Sequence, residues 1–177
     1  SLGAQAQAQM LLGRIAQVHL DRPEPARALA LYDALAAAHP KSFFGQLAAL
    51  QALLLRLYEP VPMAETVRRL AAAEALVSRF HDPALLADYH IAMFEAYARC
   101  RLDEPRQLDH LLAADHAGIV RLEQRNQTLF STAELARELG RRQLAVAYYT
   151  RFLREFPTDF RAYHVQQRLA ALGARAP

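Results

Sequence analysis

Residues Ala147–Gly173 read AYYTRFLREFPTDFRAYHVQQRLAALG, and residues Ala30–Leu54 read ALYDALAAAHPKSFFGQLAALQALL. Each is an apolar helical pattern, then an aromatic or His before Pro, then a second helical pattern. Laid together, Ala28, Tyr32 and Pro40 fall on Ala145, Tyr149 and Pro157, every pair 117 residues apart. Leu35 falls on Phe152 and Ala16 on Ala133 at the same displacement. These residue types have physical roles. The small residue lets one helix cross its partner at close range, and the aromatic one turn later fills the space beside the crossing. The Pro ends the second helix, because its ring and missing N–H do not continue the ladder. A pattern shared over such a distance marks an internal repeat. A looser copy is expected between the two, with Ala71 twelve residues before Pro83 and Ala75 in the aromatic's place.

The composition agrees with helices. Roughly a fifth of the residues are Ala, the best helix former, and there are only six Gly. At 177 residues and 53% hydrophobic, the chain buries a core without cross-links. One Cys, Cys100, excludes an internal disulfide framework and a multi-thiolate metal site. The net charge is +3, unevenly spread: residues 119–177 hold ten Arg and five acids. A basic C-terminal third suits an acidic partner, although solvated helix faces carry such charge too. The most apolar run, Leu47–Leu55, contains Gln51 and stops at Arg56, too short for a bilayer span of about 20 residues.

Pro and Gly divide the chain into blocks whose apolar residues recur at three- and four-residue steps. The expected helices are Ala4–Leu20, Glu24–Ala38, Phe43–Tyr58 capped by Ser42, Met63–Phe80, and a helix from Pro83 to about Arg101 capped by Asp82. A helix from Arg106 to Ala117 or beyond follows, then Gln127–Leu139, whose start could instead lie at Ser131 through a capping box with Glu134. Gly140 fits a left-handed C-terminal cap, and Arg141–Phe156 and Phe160–Leu172 complete about nine helices. Turns this short force neighbours to run antiparallel.

The pattern resembles the tetratricopeptide repeat, a helix–turn–helix unit of about 34 residues. The fullest match is residues 126–159, with Ala133, Gly140, Ala145, Tyr149 and Pro157 at the small, turn, small, aromatic and Pro positions. Residues 9–42 follow with Ala16, Ala28, Tyr32 and Pro40, and residues 160–173 read as a capping helix. The chain has no Trp, so the family's early Trp is missing, and Pro40 to Pro83 spans 43 residues, implying longer helices there. The resemblance implies an all-α, right-handed α-solenoid of antiparallel hairpins, one domain over residues 1–177. The wording FLREFPTDFRAY also resembles bacterial envelope proteins that use such repeats in outer-membrane assembly or with the Tol–Pal system, which implies the periplasm or envelope rather than the cytoplasm.

Catalytic and metal chemistry find no footing. His110 and His116 are six residues apart, about 120° around a helix, so they do not share a face. No Glu-x-x-His or His-Glu-x-x-His occurs, no Ser sits in a Gly-x-Ser-x-Gly elbow, and no Gly-rich phosphate loop is present. Cys100, between Arg99 and Arg101, reads as a packed thiol or a charge-stabilised thiolate. The expectation is a non-enzymatic scaffold or adaptor without cofactor or metal, binding a protein or peptide and not nucleic acid. A helical sensory or regulatory domain of a larger regulator is the alternative. In the tetratricopeptide architecture the first helix of each hairpin lines a concave groove. Carried onto the best unit, that role falls to Gln127, Phe130, Glu134 and Arg137, and on the next helix to Arg161, His164 and Arg168. The last three form a cationic stripe suited to an acidic segment or a carboxylate. A two-Asn carboxylate clamp is excluded, because Asn126 is the only Asn.

Overall fold

Short polar caps decide where the helices begin. In the structure, a computed structural model that describes residues 2–174, the Ser42 hydroxyl accepts from the Gly45 N–H at 3.0 Å. The Asp82 carboxylate accepts from Ala84 and Leu85 N–H at 3.0 and 3.1 Å, and Asp103 accepts from Arg106 N–H at 3.1 Å. Each satisfies amides that a first helical turn leaves without partners. The helices so bounded are α1 (Leu2–Arg14), α2 (Pro25–Ala38), α3 (Phe43–Tyr58), α4 (Met63–Glu74), α5 (Pro83–Arg99), α6 (Glu104–Ala117), α7 (Leu122–Glu138), α8 (Arg142–Glu155) and α9 (Ala162–Ala171). A π-helical turn, Ile15–His19, extends α1, and a 3₁₀ turn, Val77–Arg79, follows α4. No strand occurs among the described residues. At the end of α7, Gly140 takes φ 71° and its N–H bonds to Arg137 O, the left-handed stop that a side chain would strain.

Several boundaries differ from expectation, and α9 starts at Ala162 rather than Phe160. The helix from Met63 ends at Glu74, and the chain passes through the 3₁₀ turn instead of continuing to Phe80. That break shifts the phase of the middle unit. Ala71 and Ala75 are exposed, while Leu70, Ala73 and Phe80 are buried, so the looser copy does not use the residues aligned to it. Helix α7 starts at Leu122, not Gln127, and Ser131 lies inside it, accepting from Gln127 Nε2 at 2.9 Å rather than capping. Helix α6 starts two residues before Arg106, with Asp103 as its cap.

Consecutive helices pack along most of the chain, and α3 also touches α1 and α5. Polar bridges extend this next-but-one pattern. Tyr58 OH donates to Glu95 (2.8 Å) and Arg99 to Leu57 O (2.5 Å), joining α3 to α5. Arg121, at the start of α7, holds Asp88 of α5 at 2.5 Å. On the other side His110 of α6 meets Glu74 of α4 at 3.1 Å, and Arg151 of α8 grips Asp115 of α6 at 2.6 and 2.9 Å. Bridges thus join odd helices from α3 to α7 and even helices from α4 to α8.

The core divides accordingly. One cluster runs from α1 to α5 around Tyr32, Leu53 and Tyr89, and a second from α6 to α9 around Leu129, Tyr149 and Phe152. Tyr32 and Tyr149 occupy matching places. Both are fully buried beside buried Ala28 and Ala145. Tyr32 OH donates to Gln17 Oε1 at 2.8 Å, and Tyr149 OH donates to Glu134. Gln17 and Glu134 are themselves 117 residues apart. The repeat thus extends to a polar partner that composition does not disclose.

One buried polar side chain holds the irregular middle. Gln46, 4% exposed, accepts from the N–H groups of His81 and Asp82 at 2.6 and 3.0 Å and donates to Lys41 O at 3.3 Å. Gln46→Leu keeps the volume but leaves two backbone donors without partners. The expected loss is about 2 kcal/mol, read as a lower midpoint in urea with an unchanged slope.

Candidate interaction groove

A stripe on α3 and a stripe on α5 face one another across an open groove of about 960 Å³. From α3 come Leu47, Leu50, Gln51, Leu54 and Tyr58, and from α5 come Asp88, Ile91, Ala92 and Glu95. Both sets recur at three- and four-residue steps, which keeps them on one face of each helix. Leu29 near the start of α2 closes one side, and Arg121 and Gln124 of α7 the other. A smaller recess of about 270 Å³ carries the surface on past Leu47 and Gln51 to Met10 and Val18. The floor is apolar.

Most charges on its lining are matched within the chain. Arg121 pairs with Asp88, Arg56 with Asp33 at 2.6 Å, and Glu59 with Arg69 at 2.7 Å. Glu95 accepts from Tyr58, over whose ring the Arg99 guanidinium lies 4.2 Å from the centroid. Burial, then the bond to Glu95, raises the Tyr58 phenol above its ordinary range, so it stays a donor. A charge entering the groove therefore meets Arg121, Asp88, Arg56 and Glu59 already held by counter-charges, and Glu95 held by the neutral Tyr58 hydroxyl.

The seven residues singled out in the C-terminal third lie elsewhere, together on α7 and α9 or just before it. Phe130 packs against Phe152 with centroids 5.8 Å apart, and the Arg161 guanidinium covers it at 4.7 Å. Arg161 also pairs with Asp159 at 2.9 Å and bonds to Gln127 Oε1 at 2.9 Å and to Asn126. The guanidinium bond holds the Asp159 carboxyl well below the usual range, against the opposing effect of burial. Glu134 receives Tyr149 OH, pairs with Arg137 at 3.0 Å, and has Arg168 at 3.4 Å and His164 at 3.9 Å. Burial opposes ionisation of Glu134, but the bonds from Tyr149 and Arg137 outweigh it and keep the carboxyl below its usual range. Arg161 and Arg168 thus each face a carboxylate of their own chain.

The α3–α5 groove was open to sequence reading through its stripe of Leu at helical spacing. Such a stripe reads equally as core, because spacing says which residues share a face and not whether a neighbour covers it. Cys100 is half-buried at the end of α5. Among the described residues no group of three His, Cys, Asp or Glu is placed to hold a metal, and no helix is long and apolar enough to cross a membrane.

Comparison with known families gives a match in the C-terminal third. Residues 127–159 fit the model of the tetratricopeptide repeat, within the unit that carries Tyr149 and Gly140. No curated protein and no solved structure matches the chain significantly. The match supports a tetratricopeptide-like family, whose repeats in general are non-enzymatic scaffolds for protein–protein contact.

Proposed function

We propose, from the premise of a tetratricopeptide-like chain, that residues 1–177 form one right-handed solenoid of antiparallel hairpins that holds a partner segment in its groove. The next-but-one contacts between odd helices and between even helices support this arrangement. The segment is apolar and lies along the α3–α5 stripes, as an extended or helical stretch of another protein. The observation that carries the reading is the apolar floor, bordered by Arg121–Asp88, Arg56–Asp33 and Glu59–Arg69 pairs already made within the chain. Burial of the segment's side chains supplies the attraction, about 25 cal/mol per Å² of apolar surface covered. An acidic segment at Arg161, His164 and Arg168 would first have to displace Asp159 and Glu134, which makes that stripe the weaker seat.

The test selects displayed random peptides on the protein and on a Leu54→Glu variant, whose carboxylate stands in the groove. Selected sequences are expected to be rich in apolar residues, to bind with little salt dependence, and to lose at least tenfold in affinity to the variant. Acidic sequences with steep salt dependence, bound equally by the variant, would move the site to α7 and α9. An Arg161→Glu/Arg168→Glu variant then checks that alternative directly.

A further inference from the structure

Helices α4, α5 and α6 meet around a cluster of ring and charged side chains that the groove does not use. His90 of α5 and His110 of α6 face each other with their Nδ1 atoms 3.0 Å apart. On its far side His110 Nε2 lies 3.1 Å from Glu74 Oε1 of α4. The same carboxylate oxygen accepts from Tyr97 OH at 2.9 Å and from Arg106 at 3.5 Å. Tyr97 stacks on His110, and Tyr89 sets an edge against both imidazoles. His110 is 6% exposed, while His90 and Glu74 are half-buried, so the pair lies at the border of the interior. Beside it, Ala87 and Ile91 of α5 pack on Ala114 of α6 and on Ile119.

The two contacts limit how protons can be arranged on the pair. With His110 donating from Nε2 to Glu74, its Nδ1 carries a lone pair, and His90 donates to it from Nδ1. When the pair gains one proton, one Nδ1 still donates to a lone pair on the other. The N–H···N contact survives, and the added charge stands beside the Glu74 carboxylate. A second proton is different. It places two N–H groups and two positive rings face to face at 3.0 Å, and Glu74 reaches only one of them.

We propose that His90 and His110 form a one-proton lock between α5 and α6, opened when a second proton binds in acid, which loosens the α5 wall of the groove. Burial first, and then His110, pushes the His90 imidazole down to about 4, with Glu74 pulling weakly the other way. The sign follows. A His90 pKa lower in the folded chain than in the unfolded one contributes stability that is complete above about 6.5 and is lost as pH falls toward 4. The lock does not depend on what occupies the groove.

The test follows urea unfolding of the whole chain from pH 7 to 4, beside a His90→Gln variant whose amide either donates to or accepts from His110 Nδ1. For the wild type, the unfolding constant is expected to rise about tenfold more per pH unit than for the variant between pH 6 and 4.5. Nitrogen NMR of the wild type needs no variant. It is expected to show a coupling between the two Nδ1 atoms at pH 7 that disappears in acid, as hydrogen exchange in α5 accelerates. Parallel pH slopes for the two proteins, or two imidazoles that titrate independently without coupling, would overturn the proposal.

Discussion

Gly45→Ala is expected to lower the stability of the chain by about 3 kcal/mol, a fall of about 10 °C in melting temperature for a chain this long. An Ala methyl placed on Gly45 would stand 1.8 Å from the carbonyl oxygen of His39 and 2.7 Å from its carbon. Backbone does not rotate aside as a side-chain tip does. This carbonyl is further held, accepting from Ser42 N–H at 3.1 Å and from Ser42 Oγ at 3.0 Å. Relief requires moving the cap and the first turn of α3, the helix that supplies much of the N-terminal core and the floor of the groove. The gain of about 1 kcal/mol from replacing a helical Gly by Ala does not offset this. Gly3→Ala provides the control. It lies exposed on α1 with nothing within 4 Å of its added methyl, so there the helical gain is expected to stand alone. Melting followed by circular dichroism reads both variants, and a Gly45→Ala protein as stable as wild type would refute the close approach.

Tyr32→Ala and Tyr149→Ala are expected to cost about 4 kcal/mol each, the range for truncating a fully buried aromatic. The two side chains lie in different core clusters, so the losses should add to within about 0.5 kcal/mol. Their spatial effects should differ. A stacked array is held by contacts between neighbours, so a defect opens its own end before the whole chain. Tyr149→Ala should therefore accelerate amide exchange in α7–α9 while α2 and α3 stay protected, and Tyr32→Ala should do the reverse. Equal acceleration everywhere would mean a single cooperative core. The C-terminal end also holds Glu155, whose bonds from Arg125 and then Arg151 outweigh burial and push its carboxyl down to about 2. Those ion pairs persist through mild acid and leave the Tyr149 comparison readable there.

The sequence by itself determined the helices and their repeat. Ser42, Asp82 and Gly140 are local signals, satisfied by amides and dihedrals within a few residues, and each ends or begins a helix where its chemistry says. The step of 117 residues placed Tyr32 and Tyr149 in like surroundings, because a buried aromatic beside a small residue has one geometry that fits. The middle unit was not legible. The chain just past its 3₁₀ turn, at His81 and Asp82, is held by Gln46, more than thirty residues away in sequence, a contact that periodicity does not record. The charges of the C-terminal stripe were legible as charges, and Asp159 lies two residues from Arg161, but only the tertiary structure set Glu134 against Arg168. It likewise left Leu54 lining an open groove and brought His90 within 3.0 Å of His110. Local bonding chooses where a helix starts. Which faces are covered, and which charges are already matched, depends on residues that only folding brings near.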